Sequence, residues 1–209
     1  MNTDEKEDML MKVVKNGMFL KFASEELQND KDIVFIAVSQ SGLSLQYASK
    51  ELQNDDDIVL SAITTNPSAI QYASNRLKNN KDIVMSVVKQ YGLALSEASN
   101  KLKSNKEIVL AAVSENGMSL IYTSEKLKND KEVVLVALKK HPDSFQFASE
   151  CLKSDKELLE LYIHKLSVDN AQNQLFYKEC ELKLKMLKEQ EYLEKNIPES
   201  NSKHKVKKF

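Results

Sequence analysis

The sequence predicts an all-α protein: an α-solenoid of six 25-residue two-helix repeats with a longer C-terminal capping helix. Three observations carry that prediction. Leu27, Leu52, Leu77, Leu102, Leu127 and Leu152 recur at one fixed period without insertion or deletion, in step with Ser24, Ser49, Ser74, Ser99, Ser124 and Ser149. Self-similarity at a short fixed period is the mark of a stacked array. The 209 residues include only 4 Gly, 3 Pro and no Trp, a balance that favours helix over sheet. Within each period, apolar residues then recur at helical spacing.

The elements follow in order, taking 30–54 as the example. Asp30 stands where an N-cap is needed, Asp32 follows in the first turn, and Ile33, Val34, Ala37 and Val38 form one face of a helix A. Gly42 then suits a left-handed C′ position, with Leu43 reaching back to Val38 in a Schellman contact; Gly17-Met18, Gly92-Leu93 and Gly117-Met118 repeat the pair. A helix B is expected from about Ser44 to Gln53, with Leu45, Ala48 and Leu52 on one face, before Asn54-Asp55 turns the chain into the next helix A. Helices of about ten residues span only about 15 Å and are marginal alone, so each repeat must bury its face against its neighbours. A right-handed superhelical stack is the expected result.

A longer period overlies the first. The column after helix A runs Gly17, Gly42, Asn66-Pro67, Gly92, Gly117, His141-Pro142, which suggests a duplicated block of three repeats. Asp8 and Lys12 replace core residues in the first helix A, as a solenoid end requires. At the other end Glu157–Leu166 forms a last helix A, Ser167 stands where Gly or Pro is expected, and Asp169 can cap a longer helix to about Asn196. That helix carries Leu175, Phe176, Cys180, Leu184 and Leu187 among Lys and Glu, a stripe suited to folding back over the final repeat. The domain reading is a repeat solenoid over 1–168 in two blocks of three, a long helix over 169–197, and a disordered basic tail over 198–209.

The units D-K-D-I-V, A-V-S-Q-S-G-L and L-Q-Y-A-S-x-x-L resemble the domain of unknown function 4116 (DUF4116) repeat, over roughly Lys6 to Leu161. The pattern is also similar to leucine-rich variant repeats, whose second helix is of the 3₁₀ kind. The first resemblance implies tandem copies in proteins of intracellular bacteria and amoeba-associated organisms, and no assigned chemistry.

Function reads mainly by exclusion. With 30 basic against 31 acidic side chains, a net charge of -1 gives no bulk attraction to a phosphate backbone. Cys151 and Cys180 are two ordinary thiols, too few for a disulfide framework and not at metal-ligand spacing. The first eight residues lack a secretory n-region and h-region, and no apolar run reaches a membrane span, so a cytoplasmic protein is expected. The serine column reads as architecture, each hydroxyl bonding a carbonyl one turn back, because His141, His164 and His204 recur at no fixed place that would supply a base. Asn54-Asp55 and its equivalents read as turn and cap. Lys31, Lys81, Lys106, Lys131 and Lys156 form a column whose charge is cancelled by the acid that follows each. No catalytic, cofactor-binding or metal-binding residues emerge, and the chain is read as a non-enzyme.

One column leaves the apolar face of helix B. Phe22, Tyr47, Tyr72, Tyr122 and Phe147, interrupted by Glu97, do not share the Leu45/Ala48/Leu52 face. Either neighbouring layers bury them or they form an aromatic ladder for a protein partner. The expected function is a protein–protein interaction module or adaptor. The family resemblance extends this to an effector delivered into a host cell, and Glu189, Glu191 and Glu194 before a basic end resemble type IV secretion signals. A nucleic-acid-binding helical repeat and a homo-oligomer built through 169–197 are the alternatives.

Overall fold

The protein is described here by a computed structural model that covers residues 3–166 and 174–196. Ser167, Asp169 and the basic tail over 198–209 lie outside the described residues. The chain folds as two compact bodies, Met1–Ala148 and Ser149–Phe209. The described residues are helical without a strand, an all-α repeat solenoid.

In the first body each repeat opens with one long helix: α1 (Thr3–Lys15), α2 (Lys31–Gln40), α3 (Asp56–Thr65), α4 (Lys81–Val88), α5 (Lys106–Glu115) and α6 (Lys131–Lys140). The caps are those the sequence predicts. Asp30 accepts from the amides of Asp32 and Ile33 at 3.1 and 3.2 Å, and Asp55, Asn80, Asn105 and Asp130 do the same work for their own helices. Ile33, Val34, Ala37 and Val38, with their equivalents in α3 to α6, are buried and form the core, joined by Met9 and Val13 of α1.

Helix B does not form as one α-helix. In its place stand a six-residue 3₁₀ helix (Gly17–Phe22, Gly42–Tyr47, Pro67–Tyr72, Gly92–Glu97, Gly117–Tyr122, Pro142–Phe147), two extended residues such as Ala73 and Ser74, and a single helical turn such as Asn75–Lys78. Two features explain the difference. Gly42, Leu45 and Ala48 are three apart, and in a 3₁₀ helix residues i and i+3 eclipse, so this spacing keeps one buried row where 3.6 residues per turn would let it drift. The helix then breaks at Ala48 (ψ 153°) because the next amide, Ser49, donates to the Gln28 carbonyl of the preceding repeat at 3.0 Å.

The glycines also have a different role from the C′ position the sequence suggests. No glycine adopts a positive φ. Each starts a 3₁₀ helix pressed against the next repeat: a Cβ on Gly42 would stand 2.2 Å from the Ala62 carbonyl oxygen, and on Gly117 2.3 Å from that of Ala137. Gly17 and Gly92 meet Ala37 and Ala112 in the same way. Close approach of two backbones, not left-handed geometry, selects glycine.

In the second body the turn Leu152–Ser154 leads into α7 (Lys156–Leu166), against which α8 (Gln174–Asn196) packs. Lys156 pairs with Glu191 at 2.6 Å and Glu160 with Lys188 at 3.2 Å, so α8 runs antiparallel to α7. Cys180 and Leu184 face inward, and the buried Tyr162 ring lies 5.4 Å from that of Phe176. The fold-back expected of the final helix is therefore present over α7.

Candidate partner-binding face

The aromatic column ends each 3₁₀ helix. At about 120° per residue in that helix, Gln46 and Tyr47 flank the buried Leu45/Ala48 row on opposite sides. Phe22 is 68% exposed and Tyr122 37%, whereas Tyr47, Tyr72 and Phe147 are half-buried, the two tyrosines resting partly on the core. The column is thus both core edge and surface. Lys21 places its Nζ 4.5 Å from the Phe22 ring centroid, a cation–π contact.

Glu97, the gap in the column, has a local cause: it pairs with Lys78 at 3.3 Å, and Lys78 also donates to the Gln71 carbonyl at 2.6 Å. Gln46, Gln71 and Gln146 each donate to the carbonyl three residues back, which fixes an amide beside Tyr47, Tyr72 and Phe147. Between the second and third repeats a groove of about 580 Å³ is lined by Gln46, Lys50, Gln53, Gln71 and Tyr72. A smaller one of about 190 Å³ brings Tyr91, Glu97 and Tyr122 together. Aromatic rings, fixed amides and one carboxylate suit recognition of a polypeptide surface.

The serine column is architectural, but not in the expected way. The amides of Ser74, Ser99 and Ser124 donate to carbonyls of the preceding repeat, those of Gln53, Lys78 and Lys103, at 2.9, 3.0 and 3.0 Å. The hydroxyls of Ser74 and Ser99 donate to Asn54 and Asn79, also of the preceding repeat, at 2.6 and 2.7 Å, and accept from Leu77 and Leu102 at 3.4 Å. Ser74 and Ser99 are therefore N-caps and inter-repeat staples together. Ser124 meets Ser104 where Ser49, Ser74 and Ser99 meet Asn, and its buried Oγ has no partner among the described residues.

The lysine column is ordered by the same logic. Lys31 bridges Asp55 and Asp57 of the next repeat at 2.8 and 3.4 Å, and Lys106 bridges Asp130 and Glu132 at 2.7 and 2.8 Å. The Lys106 ammonium, with the Val133 amide, holds Asp130 below the ordinary carboxylate range against the opposing effect of burial. In the third repeat Asp56 replaces lysine, the next cap is the neutral Asn80, and Arg76 pairs with Asp56 at 2.7 Å instead.

Burial pushes the Cys180 thiol up to about 11, so it stays protonated, and Cys151 is exposed. His141 accepts a hydrogen bond from the Gly117 amide at 3.0 Å, and His204 lies outside the described residues. No cluster of three His, Cys, Asp or Glu suited to a metal ion occurs among the described residues, and none of their helices is long and apolar enough to cross a membrane. Sequence reasoning missed a second exposed feature, the outer face of the long helices. There Phe35 and Leu60 flank a groove of about 540 Å³ with Ser39, Ser61 and Thr64. Its signal was available, since Leu10, Phe35, Leu60, Met85, Leu110 and Leu135 recur at the same period as the leucine and serine columns.

No curated protein and no solved structure matches the chain. The profile of one family, the domain of unknown function DUF4116, matches residues 6–53, 55–103 and 105–153, each stretch spanning two of the short repeats. Because those three matches cover well over half of the chain, it belongs to the DUF4116 family, with three tandem copies in its six repeats.

Proposed function

We propose that the protein is a non-catalytic protein-interaction module that grips a polypeptide partner along the 3₁₀ face of its first body. The observation that carries this reading is the column Phe22, Tyr47, Tyr72, Tyr122 and Phe147, a ring in five of the six repeats, part exposed, with Tyr47, Tyr72 and Phe147 held beside fixed glutamine amides. Tyrosines give large contact area at low entropic cost, and a repeat array presents them at regular intervals to an extended or helical ligand. The balanced charge along the lysine column argues for protein over nucleic acid.

Tyr47→Ala/Tyr72→Ala/Tyr122→Ala tests the reading by affinity capture from host-cell lysate beside wild type, with circular dichroism and melting run in parallel. A specific partner lost by a triple variant that keeps its helicity supports it. A variant that retains the partner overturns it, and one that unfolds assigns the column to the core. Delivery into a host cell rests on the family resemblance and is tested separately, by a translocation reporter fused to the full chain.

A further inference from the structure

The helix α8 has two apolar faces, and α7 covers only one of them. Phe176, Cys180, Leu184 and Leu187 turn inward, whereas Leu175, Leu182, Met186 and Leu193 are 80%, 60%, 61% and 61% exposed. At about 100° per residue these four fall within an arc of about 40°. An isolated surface leucine needs no explanation, but four in one stripe form a patch.

The stripe is symmetric about residue 184. Leu175 and Leu193 stand nine residues either side of it, and Leu182 and Met186 two residues either side. A second α8 laid antiparallel, with its two-fold axis beside residue 184, sets Leu175 against Leu193 and Leu182 against Met186, each contact made twice. That is the self-complementarity of an isologous interface. The margins agree. Lys178 and Glu189 lie on the same edge of the stripe, both exposed, and neither has an ion-pair partner among the described residues. Antiparallel pairing brings like edges together and places Lys178 within about one residue rise, ~1.5 Å along the axis, of Glu189 in the second copy. Glu179 on the other edge meets Gln190. It shares a layer with Glu189 of the second copy, and its own Lys183, 3.6 Å away, offsets that repulsion. A parallel pair would instead set Lys178 against Lys183.

We propose that α8 is a homodimerisation helix, pairing antiparallel with α8 of a second copy through Leu175, Leu182, Met186 and Leu193. Four leucine-sized side chains put the contact near the low end of specific interfaces, so association in the micromolar range follows. Sedimentation equilibrium on the full chain between about 1 and 500 µM is expected to pass from one-chain to two-chain mass. Leu182→Ser is expected to keep the one-chain mass over that range. Lys178→Glu should weaken dimerisation at least tenfold, and Lys178→Glu/Glu189→Lys should restore it, with helicity unchanged throughout because these side chains are exposed. One-chain mass for wild type at every concentration overturns the proposal and leaves the stripe to a different protein. A Lys178→Glu variant that dimerises like wild type, or a double variant that fails to recover, overturns the antiparallel register.

Discussion

The junction between the second and third repeats differs from that between the third and fourth. At the first, Gly42 lets the 3₁₀ helix touch the Ala62 carbonyl, Lys31 spans to Asp55 and Asp57, and α2 packs closely on α3. At the second, Pro67 replaces glycine, Val87 stands where alanine is found, Asp56 replaces lysine, and α3 and α4 touch sparsely. The substitutions are coupled. Wherever the later helix carries alanine the earlier repeat carries glycine, at Gly17/Ala37, Gly42/Ala62, Gly92/Ala112 and Gly117/Ala137, whereas Pro67 is matched by the larger Val87. Proline at the first position of a 3₁₀ turn costs no hydrogen bond, and a wider gap accommodates both it and valine. Spacing between repeats is thus set by one residue from each side of the junction.

The sharpest way to break this comparison is to give a tight junction a Cβ. Gly117→Ala is expected to lower stability by about 2–3 kcal/mol, because the clash is with a backbone carbonyl that cannot step aside. Pro67→Ala at the looser junction should cost under about 1 kcal/mol. Urea unfolding monitored by circular dichroism checks both, and equal losses would refute the pairing rule.

A second contrast lies in the staples. Ser99→Ala removes a cap and a cross-repeat hydrogen bond together and should cost about 1–2 kcal/mol. Ser124→Ala removes a hydroxyl that has no partner among the described residues, so its effect should lie within about 0.5 kcal/mol of zero. Ser104→Asn should stabilise by supplying the oxygen that Ser124 lacks. Thermal melts of the three variants rank them, and a Ser124→Ala loss as large as that of Ser99→Ala would contradict the staple.

The smallest effect is electrostatic. Burial and lysine act oppositely on Asp30, Asp55 and Asp130, and the net result is a lowered pKa for each. A carboxylate with a depressed folded pKa contributes stability that is complete above the ordinary value of 3.8 and is lost as pH falls through the folded value. Asp130→Asn keeps the cap, as Asn80 and Asn105 do natively, but cannot titrate. It should lower the melting temperature at pH 7 by about 2–4 °C and flatten its fall as the pH drops below about 4. An unchanged acid profile would count against the ladder.

These contrasts also mark what the sequence could and could not reveal. The fixed repeat period, the Asp30-type caps and the buried Ile33/Val34/Ala37/Val38 face are local signals, and each appears in the structure where the sequence puts it. The 3₁₀ helix was readable from the strict three-residue spacing of Gly42, Leu45 and Ala48, but α-helical periodicity accommodates the same residues nearly as well. The glycine and serine roles were not readable within one repeat, since their partners belong to the adjoining repeat and become neighbours only on stacking. For the same reason Tyr47 was identifiable as off the main face, while its half-buried state depended on the layer beside it.

The constant sequence offsets of these cross-repeat contacts have a consequence for how such a molecule changes length. Removing or adding one residue inside any repeat would put every staple, bridge and glycine contact that crosses it out of register. Excising one whole repeat between equivalent positions leaves all those offsets intact and requires only that the new junction unite compatible partners, glycine with alanine or proline with a larger residue. Such an array can grow or shrink by unequal recombination in steps of one repeat, and the reach of its 3₁₀ face becomes a quantity set by copy number alone.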